Sequence, residues 1–422
     1  MPKNDTSINN LLQPLFPGSD ILTICETYDT PFYIYDKSFI KKKIEGLKHS
    51  LSQDFRLYYA VKANPNLHLL RAIRDWVDGV DISSGGELRQ SLGAGFSPSD
   101  ISYAGPGKTE REVELAIQNK IGILSIESLT ELRRAEQIAA RLNVQANVSL
   151  RINPVKVFKE FAIKMGGRSS QFGIDEEQSS AFFETLRESP HCTFVGIHVY
   201  SGTQCLNGDT LLDNFKNTLS ITKEIVHKTG IKPAIVNFGG GFGVPYYENQ
   251  SSFDAQYVCS ALNKIFTAFK KEAGLAALAG IIELGRYLIA DAGVYIAQVV
   301  DVKISRGKTF CILNGGMNHH LPASGNFGQV IRKNFKMVNL SNPNIKNPEE
   351  ITVVGPLCTT IDILGDRIWM PKPAIGDYIA IRDSGAYAYT ASPLLFLSHD
   401  PPLEIMVEEN GETDVIRESV FE

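Results

Sequence analysis

Short apolar runs alternate with stretches of helical spacing along the first two thirds of the chain. In chain order the strand-like runs are FRLYYAVK (55–62), GVDISS (79–84), ISYAGP (101–106), IGILSIES (121–128), NVSLRIN (147–153), TFVGIHVY (193–200), AIVNFGG (234–240) and GIIELG (280–285). Between them apolar residues recur at helical spacing, as in LTELRRAEQIAARL (129–142). Eight strands with intervening helices predict an α/β fold with a (β/α)8 barrel, and an open doubly wound sheet is the alternative.

After Arg286 the pattern changes to β-rich runs with few helical stretches between them. These runs are YIAQVVDVKISRG (295–307), FCILNGG (310–316), EEITVVGPLC (349–358) and DYIAIRDSG (377–385). They predict a second, all-β domain. We expect the barrel to span residues 30–285, and residues 1–29 to join 286–422 in the β domain.

Composition narrows the class of protein. A chain of 422 residues fits two domains, and 43% hydrophobic with 21% charged residues is typical of a globular protein. A net charge of −5 argues against nucleic acid as the main ligand. No apolar run is long enough to span a membrane, and MPKNDTSINN lacks a signal-peptide pattern, which predicts a cytoplasmic protein. Six cysteines without a CxxC pair predict neither a metal site nor disulfides.

Two side chains close strand-like runs, where a barrel carries its active groups. Lys62 ends FRLYYAVK before a turn, so its amine is expected at the mouth of the barrel. Partial burial of an amine favours Schiff-base chemistry. His198 ends TFVGIHVY in a similar way. Taken alone, a strand-end lysine is more often solvated, and a lone histidine is more often a hydrogen-bonded core residue.

A glycine-rich loop and an acid–base pair follow the last two predicted barrel strands. Glycines 239, 240, 241 and 243 follow AIVNF, and such a loop lets backbone N–H groups approach a phosphate, although it also suits a tight turn. Glu283 ends GIIELG and could pair with a protonated ring nitrogen. Arg286 could bind a phosphate or carboxylate, or form a structural pair with Glu283.

Turns of the predicted β domain carry three further candidates. GPLCTTIDILG contains Cys358 and Asp362, and DSGAYAYTAS contains Tyr387. A thiol can donate a proton at neutral pH, but a buried apolar cysteine is the commoner case.

The motifs YYAVKANPN, DISSGGEL, HVYSGTQ, NFGGGFGVPY, ELGRYLIADAG, GPLCTTID and GAYAYTAS, in this order, resemble those of the fold-type III pyridoxal-phosphate decarboxylases, the group of diaminopimelate and ornithine decarboxylases. The resemblance runs from about residue 25 to 405. It implies an alanine-racemase-type barrel with a β domain, pyridoxal phosphate as cofactor, and a homodimer with shared active sites.

The same resemblance implies a role for each candidate residue. Lys62 would be the Schiff-base lysine, with Asp81 close to it, and His198 would stack on the cofactor ring. Glu283 would meet the pyridine nitrogen. The cofactor phosphate would be held by Gly240, Gly241 and Tyr387, and by a hydroxyl from either Ser201 or Thr203. Cys358 would reach across from the other subunit and protonate the substrate carbon after decarboxylation.

The chain departs from the family pattern where the substrate is recognised. Thr359 replaces the acidic residue that follows the cysteine in diaminopimelate and ornithine decarboxylases, whereas Asp362 is retained. GGMNHHLPASGNFG lacks the Arg and Tyr that grip a distal carboxylate. The family motif HxGSQ reads HVYSGTQ here, stretched by two residues. Arg286, Thr359 and Asp362 are the predicted substrate contacts.

These departures, with the segment RINPVKVFKEFAIKMGGRSSQFGI (151–174), look most like the subgroup that decarboxylates a glutamyl unit on an acyl carrier protein. Because a carrier is acidic, basic residues are candidate docking charges, although solvated surface positions would look the same. They are Lys156, Lys159, Lys164, Arg168, Arg332, Lys333 and Lys336.

Three alternatives remain open from the sequence. The first is a diaminopimelate decarboxylase of lysine biosynthesis. The second is an amino-acid racemase, which normally places an Arg at the pyridine nitrogen, so Glu283 disfavours it. The third is a non-catalytic pyridoxal-phosphate-binding protein, which the predicted β domain with Cys358 and Tyr387 disfavours.

Overall fold

The computed structural model describes residues 12, 14–17, 19–156, 158, 160–161, 163–164, 169–329, 331–342 and 347–419 of the chain. The chain divides into two compact units. The barrel unit comprises Lys43–Val244 and Ser251–Tyr287, and the β unit comprises the described residues up to Lys42, Pro245–Gln250 and those from Leu288 on. The domain limits expected from the sequence, 30–285 for the barrel and 1–29 with 286–422 for the β domain, remain a prediction.

The strands, in chain order within the described residues, are β1 (Phe32–Asp36), β2 (Phe55–Ala60), β3 (Gly79–Ile82), β4 (Ile101–Tyr103), β5 (Ile123–Ile126), β6 (Ala146–Asn153), β7 (Ile163–Lys164), β8 (Ile174–Asp175), β9 (Cys192–Val199), β10 (Gly202–Thr203), β11 (Ile235–Asn237), β12 (Ala279–Leu284), β13 (Gly293–Ser305), β14 (Lys308–Leu313), β15 (Met337–Asn339), β16 (Glu349–Val354), β17 (Ile363–Met370), β18 (Tyr378–Ile381), β19 (Leu403–Val407) and β20 (Thr413–Arg417).

The α-helices, again in chain order, are α1 (Ile21–Thr27), α2 (Lys37–Ser50), α3 (Leu67–Ile73), α4 (Gly85–Gly93), α5 (Glu110–Gln118), α6 (Leu129–Leu142), α7 (Ser179–Arg187), α8 (Gly208–Thr229), α9 (Ala255–Ala273) and α10 (Arg286–Ile289). Among the described helices, none combines the length and the apolar character that a membrane span requires.

Eight of the described strands close into a barrel in which every neighbouring pair is parallel. Their order is β2, β3, β4, β5, β6, β9, β11 and β12, and β12 returns to pair with β2. The predicted (β/α)8 barrel is therefore confirmed, because the sheet closes on itself and is not open and doubly wound. Five of the eight strands lie within the apolar runs of the sequence, and β6, β9 and β12 each begin one residue before their runs.

The sequence explains both the strands and the helices that follow them. All residues of β3 and β5 are buried, as expected for parallel strands covered on both faces. Polar residues then end the connecting loops and begin the helices. Ser84, Thr109 and Ser128 each accept a backbone N–H of the first helical turn, which satisfies one of the donors left unpaired there.

The β unit is built around one sheet. Its strand order is β17, β16, β14, β13, β1, β19 and β20, with β18 pairing to both β13 and β15. Strand β1 runs parallel to β19 and antiparallel to β13. Phe32, Ile34, Val294, Ile296 and Ile405 form part of its fully buried core. This sheet confirms the predicted second β domain as an architecture.

Candidate active site

Lys62 and Asp81 form an ion pair at the C-terminal end of the barrel. Lys62 lies in the short 3₁₀ turn Val61–Ala63 that follows β2, and its Nζ is 3.2 Å from Oδ2 of Asp81 in β3. The Asp81 side chain is buried, whereas 41% of the Lys62 side chain is exposed. Burial raises the pKa of Asp81, and the ammonium group of Lys62 opposes that effect. The amine is therefore oriented by a buried carboxylate while it remains accessible.

Glu283 lies on β12 and shares a hydrogen bond with a residue that sequence reasoning missed. The amide Nδ2 of Asn237 donates to Oε1 of Glu283, and Oδ1 of Asn237 accepts the backbone N–H of Gly239 at 2.8 Å. Burial raises the pKa of Glu283 to about 8, Asp81 adds to the increase, and Lys62 and the Asn237 hydrogen bond oppose it. A cationic group placed beside Glu283 would lower that pKa again.

His198 lies deep in the barrel on β9. Its Nδ1 is 3.0 Å from the hydroxyl of Ser125, which also accepts a hydrogen bond from the hydroxyl of Ser149 at 3.2 Å. Its Nε2 is 3.5 Å from Oε2 of Glu283. Burial lowers the pKa of His198 well below the ordinary value of 6.5, and three cationic side chains lower it further: Arg151, Lys62 and Lys108. The imidazole is therefore neutral at physiological pH.

The glycine loop, residues 239–243, follows β11 directly. A Cβ at Gly240 would lie 2.0 Å from the carbonyl oxygen of Glu283, so only glycine fits beside that strand end. Gly239 and Gly241 have φ values of +62° and +100°, a conformation that L side chains rarely adopt. The loop's glycines are therefore required by its close approach to Glu283 and by its own backbone conformation. Arg286, partly buried, begins α10 after the next strand.

A buried charge network, which sequence reasoning also missed, lies at the ends of β4, β5 and β6. Lys108 Nζ is 2.7 Å from Oε1 of Glu131, and Arg151 Nη1 donates to Oε1 of Glu127 at 2.7 Å. Glu127 also accepts the backbone N–H of Gly105 at 2.6 Å. The strand-end rule could have identified Glu127 and Arg151, since both occupy the ends of predicted runs.

In the β unit, the loop between β16 and β17 carries three candidates. Cys358 is exposed and Thr359 is partly exposed. Asp362 is buried, and its two oxygens accept the backbone N–H groups of Met317 at 2.7 Å and Leu357 at 2.9 Å. Burial raises the pKa of Asp362, and these two donors oppose the increase. Asp362 thus holds two loops together, and its predicted contact with substrate stays a prediction.

Tyr387 lies after β18 in the same unit. It has a positive φ of 60° and is partly exposed, and its ring centroid is 6.4 Å from that of Phe327. A tyrosine in the left-handed region is uncommon, so the surrounding turn must hold it there. Its predicted contact with phosphate stays a prediction.

The polar groups of the barrel mouth fit pyridoxal phosphate. Among the buried side-chain atoms of the described residues that have no hydrogen-bond partner, two belong to this group: Asp81 Oδ1 and Ser201 Oγ. Unpaired buried polar atoms are rare and are expected where a polar ligand binds. The cofactor presents an aldehyde for an amine, a ring nitrogen for a carboxylate and a phosphate for backbone N–H groups. Lys62, Glu283 and the glycine loop offer these partners at the same end of the barrel.

Comparisons with known proteins agree with this chemistry. Residues 37–290 match the family model described as pyridoxal-dependent decarboxylase, pyridoxal binding domain. The chain is 38% identical over 402 residues to an L-glutamyl-[BtrI acyl-carrier protein] decarboxylase of Niallia circulans, covering 94% of this chain and 93% of the relative. It is 29% identical over 401 residues to a diaminopimelate decarboxylase of Aquifex aeolicus, covering 95% and 91%.

Solved structures share the architecture as well. Diaminopimelate decarboxylase from Helicobacter pylori, complexed with L-lysine, is 29% identical with a TM-score of 0.84, covering 94% of this chain and 96% of that one. The matched family region holds Lys62, Asp81, His198 and Glu283. Membership in a family of decarboxylases also disfavours the racemase and the non-catalytic alternatives. The chain therefore belongs to the pyridoxal-dependent decarboxylases, and it is a pyridoxal-phosphate-dependent carboxy-lyase for amino-acid or amino-acyl substrates.

Proposed function

We propose that this enzyme decarboxylates a glutamyl group carried as a thioester on an acyl carrier protein. The relative with 38% identity is named for that substrate. One observation on the β unit supports it most: beside Cys358, Thr359 is neutral, and each oxygen of Asp362 already accepts a backbone N–H. A distal ammonium group would find no uncommitted carboxylate on this loop, residues 355–362, whereas a thioester extension needs none.

In this proposal Lys62 is the lysine that binds the cofactor. The ion pair with Asp81 keeps its amine at the barrel mouth. Bound pyridoxal phosphate supplies an electron sink for the bond that breaks at the substrate α-carbon. Burial of Asp81, His198 and Glu283 strengthens the charge interactions that these side chains make.

Glu283 would hold a proton at the ring nitrogen of the cofactor. Its carboxylate is buried and fixed by Asn237, so it needs no reorientation to meet a cation there. Because burial raises the pKa of Glu283 to about 8, the buried carboxyl group favours binding a proton. It would share that proton with the ring nitrogen of the cofactor. Gly240, Gly241, Ser201, Arg286 and Tyr387 remain the proposed contacts of the phosphate.

Cys358 would return a proton to the α-carbon after carbon dioxide leaves. We propose that it acts across a homodimer, in which each active site takes this residue from the partner subunit. Its exposed side chain on the β unit supports a role at a surface that another subunit covers. Loss of the thiol would then slow protonation without changing how the barrel holds the cofactor.

A carrier protein would be recognised by basic residues, and the structure narrows the candidates. Lys156 and Lys333 are exposed. Arg332 donates to the carbonyl oxygens of Ser324 and Ile363, and Lys336 donates to that of Pro245, so both serve the fold of the β unit. Lys159 and Arg168 lie outside the described residues, as does the side chain of Lys164.

A cytoplasmic location belongs to the same proposal. All six cysteines are free, and Cys358 is exposed. An exposed thiol with a chemical role persists best in a reducing compartment.

The test is carbon dioxide release from a panel of substrates by the enzyme with its cofactor. The panel contains meso-diaminopimelate, lysine, ornithine, arginine, glutamate and a glutamyl carrier thioester. Release from the thioester alone is the expected result. Release from meso-diaminopimelate would instead support a role in lysine biosynthesis, which the likeness to diaminopimelate decarboxylases keeps as the second candidate.

A further inference from the structure

Two aromatic side chains, His198 and Tyr200, come at the end of β9, and the sequence motif can be counted from either of them. Counted from His198, the family pattern HxGSQ is stretched by two residues. Counted from Tyr200, the stretch disappears, because the segment reads Tyr200, Ser201, Gly202, Thr203 and Gln204. The ring, the glycine, the hydroxyl and the amide then all fall in register.

The two rings lie at different depths in the barrel. His198 is still within β9, where it pairs with Arg151 of β6 and Asn237 of β11. Tyr200 follows the last residue of that strand. Alternate residues of a strand point to the same side and each residue advances about 3.3 Å, so Tyr200 is about 7 Å closer to the barrel mouth. Lys62 likewise lies just beyond the end of its strand.

Tyr200 contacts both ends of the proposed cofactor site. Lys62 Nζ is 5.9 Å from the centroid of the Tyr200 ring. The ring also packs on the glycine loop, where a Cβ at Gly239 would lie 2.3 Å from Cδ2 of Tyr200. The ring therefore spans the distance between the amine and the loop proposed to bind phosphate.

The segment that carries Tyr200 is fixed to the glycine loop by hydrogen bonds. The backbone N–H of Cys205 donates to the carbonyl oxygen of Gly241 at 2.9 Å, and that of Gly243 donates to the carbonyl oxygen of Cys205 at 2.9 Å. Oε1 of Gln204 accepts the backbone N–H of Val244 at 3.0 Å. The loop and the tyrosine are thus held as one unit.

His198 offers no comparable face. Only 3% of its side chain is exposed, so protein atoms cover both faces of the imidazole. Its two nitrogens are directed toward Ser125 and Glu283, in the interior of the barrel. Tyr200, by contrast, is partly exposed at the mouth.

We propose that Tyr200, and not His198, is the aromatic residue that lies against the pyridine ring of the cofactor. The proposal rests on Lys62 as the cofactor lysine. His198 then acts one layer deeper, where its contact with Glu283 positions the carboxylate. An aromatic face against an aromatic ring contributes affinity beyond the area it covers, so the ring of Tyr200 matters more than its hydroxyl.

The test compares cofactor affinity among variants of the full-length enzyme after the cofactor is removed and added back. Visible absorbance and circular dichroism report the bound cofactor without reference to turnover. Tyr200→Leu, which keeps an apolar side chain without a ring, should weaken binding about tenfold and alter the dichroism. Tyr200→Phe should bind within about twofold of the natural enzyme, because the ring remains. His198→Asn is the matched variant at the other ring and should weaken binding less than Tyr200→Leu.

Cofactor binding by Tyr200→Leu equal to that of the natural enzyme would overturn the proposal, and so would an equal loss in Tyr200→Phe. If the leucine variant does not fold, as judged by thermal unfolding, Tyr200→Met replaces it with the same expected result. Lys62→Ala in the same titration separates this inference from the proposed function. A lysine variant with unchanged visible absorbance would refute the assignment of Lys62 itself. Loss of that absorbance, together with normal binding by Tyr200→Leu, would refute only the role of the tyrosine.

Discussion

The barrel unit and the β unit carry their polar chemistry in different ways. In the barrel, Asp81, His198 and Glu283 are 1%, 2% and 8% exposed, and each contacts another polar side chain. In the β unit, Cys358 lies exposed on a loop, while Asp362 fixes the loop through backbone contacts. Buried, preorganised side chains suit the binding of a cofactor that is the same for every substrate. An accessible loop suits the part of a site that differs among substrates.

This comparison divides the expected effects of mutation into two classes. Variants in the barrel should change how the cofactor is held and how its charge is balanced. Variants in the loop of the β unit should change turnover or substrate choice while cofactor affinity stays the same.

Lys62→Ala should remove the visible absorbance of the lysine-bound cofactor and reduce turnover about 10⁴-fold, because no other amine replaces the nucleophile. The matched control is Lys48→Ala, which breaks another Lys–Asp pair, with Asp78 at 2.6 Å, away from the site. Absorbance scans and carbon dioxide release measure both variants. Undiminished turnover in Lys62→Ala would end the assignment.

Glu283→Gln should lower kcat about 10³-fold, because a neutral amide cannot keep a proton on the cofactor's ring nitrogen. Cofactor affinity should fall much less, which a titration followed by absorbance will measure. Glu224→Gln, on the exposed face of α8 where Glu224 pairs with Lys228, is the control for loss of a carboxylate. Equal kcat in the two variants would mean that Glu283 is only structural.

Cys358→Ser should lower kcat about 10²-fold, since a hydroxyl is a weaker proton donor than a thiol. The cofactor dissociation constant should not change, in contrast to the barrel variants. Thr360→Ser, two positions along the same loop, is the control and should be near normal. A weakened cofactor with normal kcat would contradict the division between the units.

The stability of the cofactor-free protein should fall as pH rises from 6.5 to 8. Burial raises the pKa of Glu283 to about 8 in the folded state, so the folded state keeps a proton that the unfolded chain has already released. This contribution is therefore present at low pH and is lost as pH approaches 8. The depressed pKa of His198 acts only below about 6.5, outside this window.

Relative to Glu283→Gln, the free energy of unfolding should decrease by about 2 kcal/mol across that window. Urea unfolding at a series of pH values measures the difference. Parallel curves for the two proteins would show that Glu283 keeps its ordinary pKa.

Thr359→Asp should shift substrate choice about tenfold toward amino acids with a distal ammonium group, because it adds a carboxylate beside Cys358. Release of carbon dioxide from ornithine and from the glutamyl thioester, each as kcat/KM, measures the shift. Thr360→Asp adds the same charge one residue further on and should change the ratio less. An unchanged ratio in Thr359→Asp would remove this loop from substrate recognition.

The barrel could be predicted because eight apolar runs, each bounded by a turn and separated by helical stretches, indicate eight parallel strands. The rule that active groups lie at strand ends then selected Lys62, His198 and Glu283, and the structure places Lys62 at the mouth of the barrel and His198 deeper, beside Glu283. This rule could not predict which side chains contact one another. The bond from Asn237 to Glu283 joins neighbouring strands that are far apart in the chain, and no local pattern signals it.

The buried network of Lys108, Glu131, Glu127 and Arg151 escaped prediction for a related reason. Charged residues in a sequence are usually assigned to the surface, because burial without a partner is costly. Here Arg151 of β6 meets Glu127 at the end of β5, and Lys108 in the loop after β4 meets Glu131 of α6, so the burial depends on the folded barrel. Asp362 was predicted only as a substrate contact, which stays a prediction, and the backbone segments that it ties together could not be foreseen from the sequence.

The barrel can close only after its last strand has been synthesised on the ribosome. Strand β12, which carries Glu283, pairs with β2, where Glu283 lies opposite Tyr58, and β2 leaves the ribosome long before β12 is made. Until then, the nascent chain exposes the unpaired edges of β2 and β11, and Lys62 and Asp81 have no Glu283 opposite them. Such long-range pairing is slow to form and leaves aggregation-prone edges exposed. Translation should therefore place a demand on chaperones that ends when β12 emerges, and a stall before residue 279 should yield chains unable to retain the cofactor.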